Sequence, residues 1–293
     1  MEANDLFKKV RTIEIKTRRL SRHIFAGEYH SAFKGKGIVF SEVRDYQYGD
    51  DIRSIDWNVT ARFNHQYVKI FEEDRELTVM LLVDVSGSRE FGTSTQMKKN
   101  LVTELGAVLS FSAIQNNDKI GVIFFSDKVE KFIPPKKGKK HALRIIRELI
   151  EYEPVSKKTN ITEALRYLDN TIKKRCISFV ISDFLDVDEQ KKINFENAFR
   201  IANKKHELIA LKIYDKRESE IPSIGLIKLK DAETGEEVWF DSSDKGARIR
   251  YATWWKEVNK NLQDFLSRNG IDYVYLETGK DYVLPLMNLF KKR

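Results

Sequence analysis

From Leu77 onward, short continuous apolar runs alternate with longer stretches in which apolar residues recur every three or four positions. Continuous runs predict strands buried on both faces, and the wider spacing predicts amphipathic helices. Strands are predicted at 77–83, 120–125, 177–181, 208–213 and 273–276, with a short additional one at 129–133. Helices are predicted at 95–116, 140–151, 161–174, 189–204 and 247–268, with a last short helix. This alternation predicts an α/β fold, in which helices cover both faces of a mostly parallel sheet.

Other parts of the chain depart from this alternation. Residues 1–25 predict a basic helix, and residues 26–70 combine glycines with many charges, a composition typical of loops and short strands. Two alternating runs around Gly235 predict a hairpin inserted near 224–240. We therefore expect a charged, irregular or β-containing N-terminal part at 1–76 and an α/β domain at 77–293.

The composition narrows the class of protein. A chain of 293 residues that is 41% hydrophobic can bury a sizeable core, which excludes an intrinsically disordered protein. The single cysteine, Cys176, excludes an intrachain disulfide and fits a cytoplasmic protein. We expect no integral membrane segment and no secretory signal, since no apolar run reaches roughly 18 residues. The net charge of +8 permits anionic partners without demanding nucleic acid.

Oxygen-bearing side chains follow two of the predicted strands. Asp84, Ser86 and Ser88 come directly after the first strand, Asp183 follows the strand at 177–181, and Thr159 precedes a predicted helix. Because parallel strands end at one edge of a sheet, we expect these side chains to converge. Carboxylates and hydroxyls without histidine or cysteine favour Mg²⁺ or Mn²⁺ over Zn²⁺. The alternative is a strand-end turn whose serine and threonine residues cap helices.

The order of these residues resembles a known motif. Asp84-x-Ser86-x-Ser88, followed by Thr159 and Asp183, resembles the metal-ion-dependent adhesion site of von Willebrand factor A domains. The resemblance implies a Rossmann-like sandwich. It also implies that the serines and Thr159 bind the metal directly, while the aspartates bind it directly or through water.

Two neighbouring residues bear on this assignment. Thr162 is a rival for Thr159, although we expect it to lie one turn into the helix. Arg89 follows Ser88 at a position where an apolar residue is common. It places a cation near the metal, where it weakens metal binding or attracts an acidic partner.

A second motif lies upstream. It reads Arg44-Asp-Tyr-x-x-Gly49-Asp-Asp-x-Arg53-x-Ile-Asp56-Trp57 and resembles the bacterial family called domain of unknown function 58. That family places this segment before a von Willebrand A-like domain. The resemblance implies a protein partner, an AAA+ ATPase of the MoxR type, with this chain as its adaptor or co-chaperone.

The upstream segment has two interpretations. In the first, arginine–carboxylate pairs hold an irregular segment together, with Trp57 and Tyr46 as apolar anchors. In the second, the segment is a docking surface beside the metal site, and Arg53 and Asp56 contact the partner. Two lysines of a basic run are further candidates for contact with an acidic partner, or else belong to a solvated loop; they are Lys139 and Lys140.

These observations favour a non-enzymatic interaction protein. A metal held mostly by neutral hydroxyls stays electrophilic, so a partner's Asp or Glu can complete its coordination. One alternative is a Mg²⁺-dependent phosphohydrolase that uses Asp84 and Asp183. Another is a basic nucleic-acid binder, although the basic runs lack the interleaved aromatic residues of a stacking platform. The sequence contains neither a P-loop nor a dinucleotide-binding glycine motif after the first strand.

Overall fold

The structure is a computed structural model that describes residues 39–63, 65–72, 77–91, 97–188, 190–233 and 235–291. Its described residues form two compact units, one within Phe33–Leu77 and one from Thr78 onward. The helix predicted at 1–25 lies outside the described residues. No helix of the described ranges is long and apolar enough to cross a bilayer.

The smaller unit is an antiparallel pair of strands, β1 (Val39–Asp45) and β2 (Tyr67–Glu72), with the short helix α1 (Trp57–Phe63) between them. Ile55 and Val68 are buried and form a β-bridge, so the connection is tied to the strands at its middle. The sequence analysis predicted loops and short strands for residues 26–70, and the described part of this segment contains two short strands, a short helix and this small apolar contact.

An arginine–carboxylate pair fixes the turn after β1. The Arg44 guanidinium donates to both carboxylate oxygens of Asp50, at 2.8 and 2.7 Å, which is the two-pronged geometry that arginine favours. This hydrogen-bonded guanidinium lowers the pKa of Asp50. The predicted anchoring by Trp57 is wrong, because its side chain is 63% exposed.

The larger unit contains a six-stranded sheet and a separate hairpin. The sheet strands are β3 (Thr78–Asp84), β4 (Lys119–Phe125), β5 (Val129–Lys136), β6 (Ile177–Ser182), β7 (Glu207–Tyr214) and β10 (Asp272–Glu277). They lie in the order β10-β7-β6-β3-β4-β5, and all neighbours are parallel except β4 and β5. The predicted hairpin is present as β8 (Leu226–Lys230) and β9 (Glu237–Asp241).

Helices cover both faces of this sheet. They are α2 (Lys98–Gln115), α3 (Lys139–Glu151), α4 (Ile161–Thr171), α5 (Glu196–Lys205), α6 (Lys216–Ser219), α7 (Lys245–Arg268) and α8 (Val283–Lys291). One core joins alternate strand residues such as Leu82 and Val180 to α4, α5 and α7. The opposite face packs against α2, α3 and α8, where Phe179 meets Phe290 edge to face. The predicted α/β fold is therefore confirmed.

Three elements differ from the sequence prediction. Helix α5 begins at Glu196, several residues after the predicted start, because residues 187 and 193 pair in a β-bridge before it. Strand β5 extends to Lys136 despite the prolines at 134 and 135, which an edge strand tolerates. The short helix α6, which the sequence analysis missed, is capped by the preceding Asp215 in a capping box that Glu218 completes.

Two glycines give a matched test of the packing. A Cβ on Gly121 would lie 2.8 Å from the backbone oxygen of Ile133 and 2.9 Å from the backbone nitrogen of Pro135, so β5 itself would have to move. A Cβ on Gly106 would lie 2.5 Å from the end of the Leu149 side chain, which can rotate away. We expect Gly121→Ala to lower the free energy of unfolding by about 1–3 kcal/mol.

Gly106→Ala should cost less, since alanine gains about 1 kcal/mol over glycine inside a helix. Urea unfolding of the two variants measures both effects. Equal losses in the two variants would contradict the difference we assign to backbone and side-chain neighbours.

Candidate metal centre

The aspartate that ends β3 is held by its own loop and by the neighbouring strand. Asp84 Oδ1 accepts the Ser86 backbone N–H at 3.0 Å, and Asp84 Oδ2 accepts the Ser182 hydroxyl at 2.6 Å. Ser182 in turn accepts the backbone N–H of Phe184 at 3.0 Å. Asp84 is therefore oriented by two strand ends that the parallel register brings side by side.

The two serines of the motif face one point. The Ser86 and Ser88 hydroxyl oxygens are 3.2 Å apart, on either side of Gly87, at the start of the short 3₁₀ turn Gly87–Glu90. Asp183, the residue that directly follows β6, lines the same small cavity as Asp84 and Ser88. Four of the five predicted metal ligands therefore lie close together.

A buried ammonium group contacts Asp183. Lys98 Nζ lies 3.1 Å from Asp183 Oδ2 and also pairs with Glu218, and only 2% of the Lys98 residue is exposed. Burial opposes ionisation of Asp183 most strongly, but the positive charge of Lys98 and other nearby polar and charged groups together outweigh it and lower the pKa of this carboxyl. In contrast, burial and the neighbouring Asp183 carboxylate raise the pKa of Asp84 to about 7. The two acids therefore share too little positive charge for both to ionise easily.

A second buried lysine lies near the same carboxyl-terminal edge of the sheet. Lys212 pairs in register with Ser182 on β6 and with Tyr275 on β10, and only 2% of the residue is exposed. Its Nζ has no hydrogen-bond partner among the described residues and lies over the rings of Trp255 and Tyr275, 5.6 and 6.0 Å from their centres. Burial lowers the pKa of Lys212 to about 8.

The fifth predicted ligand contacts the hairpin. Thr159 Oγ1 donates to Glu233 Oε1 at 2.5 Å, and Glu233 lies in the turn between β8 and β9. Burial, together with repulsion from Asp183, raises the pKa of Glu233. Thr159 thus contacts the carboxylate of Glu233, a residue that the sequence analysis did not single out and that is near enough to Asp183 for the two to repel.

The donor set fits a small hard cation. A cavity of about 20 Å³ is lined in part by Asp84, Ser88, Lys98 and Asp183, and a space of this size accommodates a water-sized guest. Two carboxylates and three hydroxyls match the oxygen ligands of Mg²⁺ and Mn²⁺. The described residues contain no cluster of three or more His, Cys, Asp or Glu suited to a metal, so any metal depends on the hydroxyls.

Arg89, next to the motif, lies away from solvent. It is 5% exposed, and its Nη2 donates to the backbone oxygen of Tyr152 at 2.7 Å. Its guanidinium therefore braces the loop at Tyr152, and its predicted role in attracting a partner stays a prediction.

Thr162, the rival of Thr159, is the second residue of α4. It lies inside the helix, but in the first turn rather than one turn in, whereas Thr159 precedes the Asn160 cap.

The two lysines predicted to contact an acidic partner, Lys139 and Lys140, lie far from Asp84. Strand β5 runs antiparallel to β4, so Lys136 pairs with Ile120, near the beginning of β4. Lys139 and Lys140 follow at the start of α3 and therefore lie at the sheet edge opposite Asp84. Because β4 is seven residues long, the two edges are roughly 20 Å apart. These lysines are therefore not part of the sheet edge that carries Asp84 and Asp183, which we call the metal edge.

The two predicted contacts of the upstream motif lie in the smaller unit. Asp56 accepts the backbone N–H groups of Asn58 and Val59, at 3.0 and 3.3 Å, and so caps α1. It also lies 3.6 Å from Lys69 Nζ. Arg53 is exposed, and its guanidinium forms no ion pair within the described ranges. Asp56 thus has a structural role, while partner binding by Arg53 stays a prediction.

The sequence contained a signal for both buried lysines. Lys98 lies three and seven positions before Leu101 and Leu105, on the stripe of α2 that is otherwise apolar. Lys212 interrupts the apolar run of β7, because all the remaining residues from Leu208 to Ile213 are hydrophobic. A charged residue inside a buried pattern indicates a buried partner, although the pattern alone does not name that partner.

The sequence matches the family described as protein of unknown function DUF58 over residues 42–261. The uncharacterised protein Rv1480 of Mycobacterium tuberculosis is 27% identical over 286 residues, which is 97% of this chain and 88% of that protein. Among solved structures, the chain is similar to BatB of Bacteroides thetaiotaomicron, with a TM-score of 0.47, 16% identity, and coverage of 74% of this chain and 98% of that one.

The SpRpn10 VWA domain gives a TM-score of 0.39 and 12% identity, covering 74% of this chain and 95% of that chain. The match to the family spans well over half of the sequence and includes both the upstream motif and the strand-end residues. This chain belongs to the DUF58 family.

Proposed function

We propose that this protein is a cation-dependent interaction module. Asp84, Ser86, Ser88, Thr159 and Asp183 hold Mg²⁺ or Mn²⁺, and the bound cation receives a carboxylate from a protein partner. The expected location is the cytoplasm. The observation that carries the proposal is that Asp84, Ser86, Ser88 and Asp183 lie together at one edge of the sheet, while Thr159 contacts the neighbouring carboxylate of Glu233.

The charges at this edge explain why a partner carboxylate would bind. Only two of the five residues are carboxylates, and one of them, Asp183, is already neutralised by Lys98. A divalent cation in such a site keeps much of its positive charge, so a further oxygen anion is attracted to it. The buried Lys212 ammonium adds to this positive potential.

The family resemblance suggests the nature of the partner. An AAA+ ATPase of the MoxR type that presents an Asp or Glu to the metal edge would fit, with this chain as its adaptor or co-chaperone. Because Lys139 and Lys140 lie at the opposite edge, we assign the contact to the strand-end loops rather than to the basic run.

Titration calorimetry with Mg²⁺ and Mn²⁺ tests the metal site. We expect binding at millimolar concentration or tighter, and a loss of at least about tenfold in Asp84→Asn, because a ligand charge is removed. The fold should survive this change, since the amide can still accept from Ser86 and repulsion from Asp183 disappears. The matched control is Asp264→Asn on α7.

Two results would contradict the proposal. If the folded wild-type protein gives no heat of binding at millimolar metal, these residues do not form a metal site. If the metal-loaded protein hydrolyses a phosphate ester such as p-nitrophenyl phosphate, and Asp84→Asn abolishes turnover, the phosphohydrolase alternative is favoured instead.

A further inference from the structure

The turn between β8 and β9 is an ordered projection. The Asp231 backbone N–H donates to the Glu236 oxygen at 2.8 Å, and the Gly235 N–H donates back to the Asp231 oxygen at 3.0 Å. The Asp231 carboxylate also accepts the Glu233 N–H at 2.8 Å. These bonds fix the turn from within, so the Glu233 side chain is presented from a preformed support.

This turn packs closely against the metal-motif loop. A Cβ on Gly87 would lie 2.1 Å from the backbone oxygen of Ala232, so only glycine allows this approach. The Gly87 backbone N–H donates to the Lys157 oxygen at 2.9 Å, which joins the serine loop to the segment that carries Thr159. The hairpin turn, the serine loop and the threonine loop therefore meet at one place.

The charge of Glu233 is unusual for this position. The carboxylate accepts the hydroxyl of Thr159, and it is near enough to Asp183 for the two to repel. Within the described ranges, Glu233 forms no ion pair with a lysine or arginine. A partly buried carboxylate in contact with Thr159 and close to Asp183 is costly unless a cation lies nearby.

We propose that Glu233 becomes an internal ligand of the metal site when the cation binds, and that it then occupies the place that a partner carboxylate would take. This inference rests on the function proposed above. The β8–β9 hairpin then closes the site in the isolated protein. A partner must displace Glu233 before its own Asp or Glu can bind. The hairpin therefore lowers the affinity of the protein for its partner.

Water-proton relaxation by bound Mn²⁺ tests this role, because it reports how many waters the ion retains. We compare wild type with Glu233→Ala and with the matched control Glu236→Ala, which removes an acid from the same turn. We expect Glu233→Ala to show greater relaxation per bound Mn²⁺ than the other two proteins. Its Mn²⁺ affinity should fall by about tenfold or more, the size of loss seen when even a supporting group of a metal site is removed.

Hydrogen exchange gives a second measurement that does not depend on Mn²⁺ relaxation. Mg²⁺ should slow amide exchange in residues 226–241 of wild type and Glu236→Ala, but not in Glu233→Ala. Equal relaxation and equal exchange in wild type and Glu233→Ala would overturn the internal-ligand role, even though the metal binds. If Glu236→Ala changed relaxation, Mn²⁺ affinity and amide exchange as much as Glu233→Ala, the internal-ligand role would also be overturned. The loss of any negative charge from the turn would then explain the changes.

A different result would identify failure of the proposed function itself. If the folded wild-type protein binds neither Mn²⁺ nor Mg²⁺, then both the metal site and the internal ligand are wrong. If it binds metal and the hairpin variants behave alike, only the role of Glu233 is wrong.

Discussion

Replacement of Lys98 by methionine should destabilise the metal-free protein by about 3–5 kcal/mol, the loss expected when one partner of a buried ion pair is removed. The Lys98 ammonium neutralises Asp183 at 3.1 Å and also pairs with Glu218, and the Asp183 side chain is only 4% exposed. Methionine fills the space of the lysine stem but leaves both acids without this counter-charge.

The same change should strengthen metal binding. Lys98 and a bound cation share Asp183, so the ammonium repels the cation. Removing one unit charge within a few ångström favours binding by at least about 1.4 kcal/mol, or roughly tenfold, at an effective dielectric constant near 20. Lys98→Met should therefore unfold more easily in EDTA and regain much of its stability in Mg²⁺.

Urea unfolding with EDTA or with Mg²⁺, together with calorimetry, measures these opposite effects. The control is Lys140→Met, an exposed lysine in the first turn of α3, which should change stability by no more than about 0.5 kcal/mol. If Lys98→Met lowers both stability and metal affinity, Lys98 supports the site rather than competing with the cation.

This pair of effects would explain how the metal edge keeps its shape without metal. Lys98 supplies one positive charge to Asp183, and Ser182 holds Asp84 by a hydrogen bond. The loops are therefore ordered before a cation arrives, which reduces the conformational cost of binding.

The complex with a partner should be lost completely when the metal or its ligand is removed. We expect a MoxR-type ATPase from the same organism to co-purify with wild type in Mg²⁺, but not in EDTA and not with Asp84→Asn. A carboxylate has affinity for this edge only through the cation, because Asp84, Asp183 and Glu233 otherwise repel it. Recovery by pull-down should fall by at least about a hundredfold, which corresponds to roughly 2.8 kcal/mol.

Charge reversal of Lys139 and Lys140 is the control for this experiment. Both residues lie at the opposite edge of the sheet, roughly 20 Å from Asp84, which is beyond the Debye length of about 8 Å at 0.15 M salt. We expect little change in recovery at that ionic strength. Equal recovery of the ATPase in Mg²⁺ and in EDTA would show that the metal is not the bridge.

If Glu233 is an internal ligand, this complex should form more readily in Glu233→Ala, since the partner no longer competes with the hairpin. Partner recovery and metal affinity then change in opposite directions in one variant. A hairpin with a purely structural role would lower both or neither.

The local pattern of the sequence determined the sheet and the location of its site. Continuous apolar runs predicted β3, β4, β6, β7 and β10, because strands buried on both faces need apolar residues at every position. The candidate ligands Asp84 and Asp183 follow two of those runs, so the rule that parallel strands end at one edge predicted that they lie together. The turn at Gly235, where φ is +75°, was also visible as a local signal.

Only the tertiary structure decided which groups surround those ligands. Lys98 and Glu218 are 120 residues apart, and Thr159 and Glu233 are 74 apart, so no local spacing joins them. The antiparallel direction of β5 likewise moved Lys139 and Lys140 to the far edge. Periodicity determines which side of an element is buried, because burial depends on that element's own side chains. Which charged groups meet there depends on how separate elements pack, and this set both the charges around Asp183 and the contact between Thr159 and the hairpin.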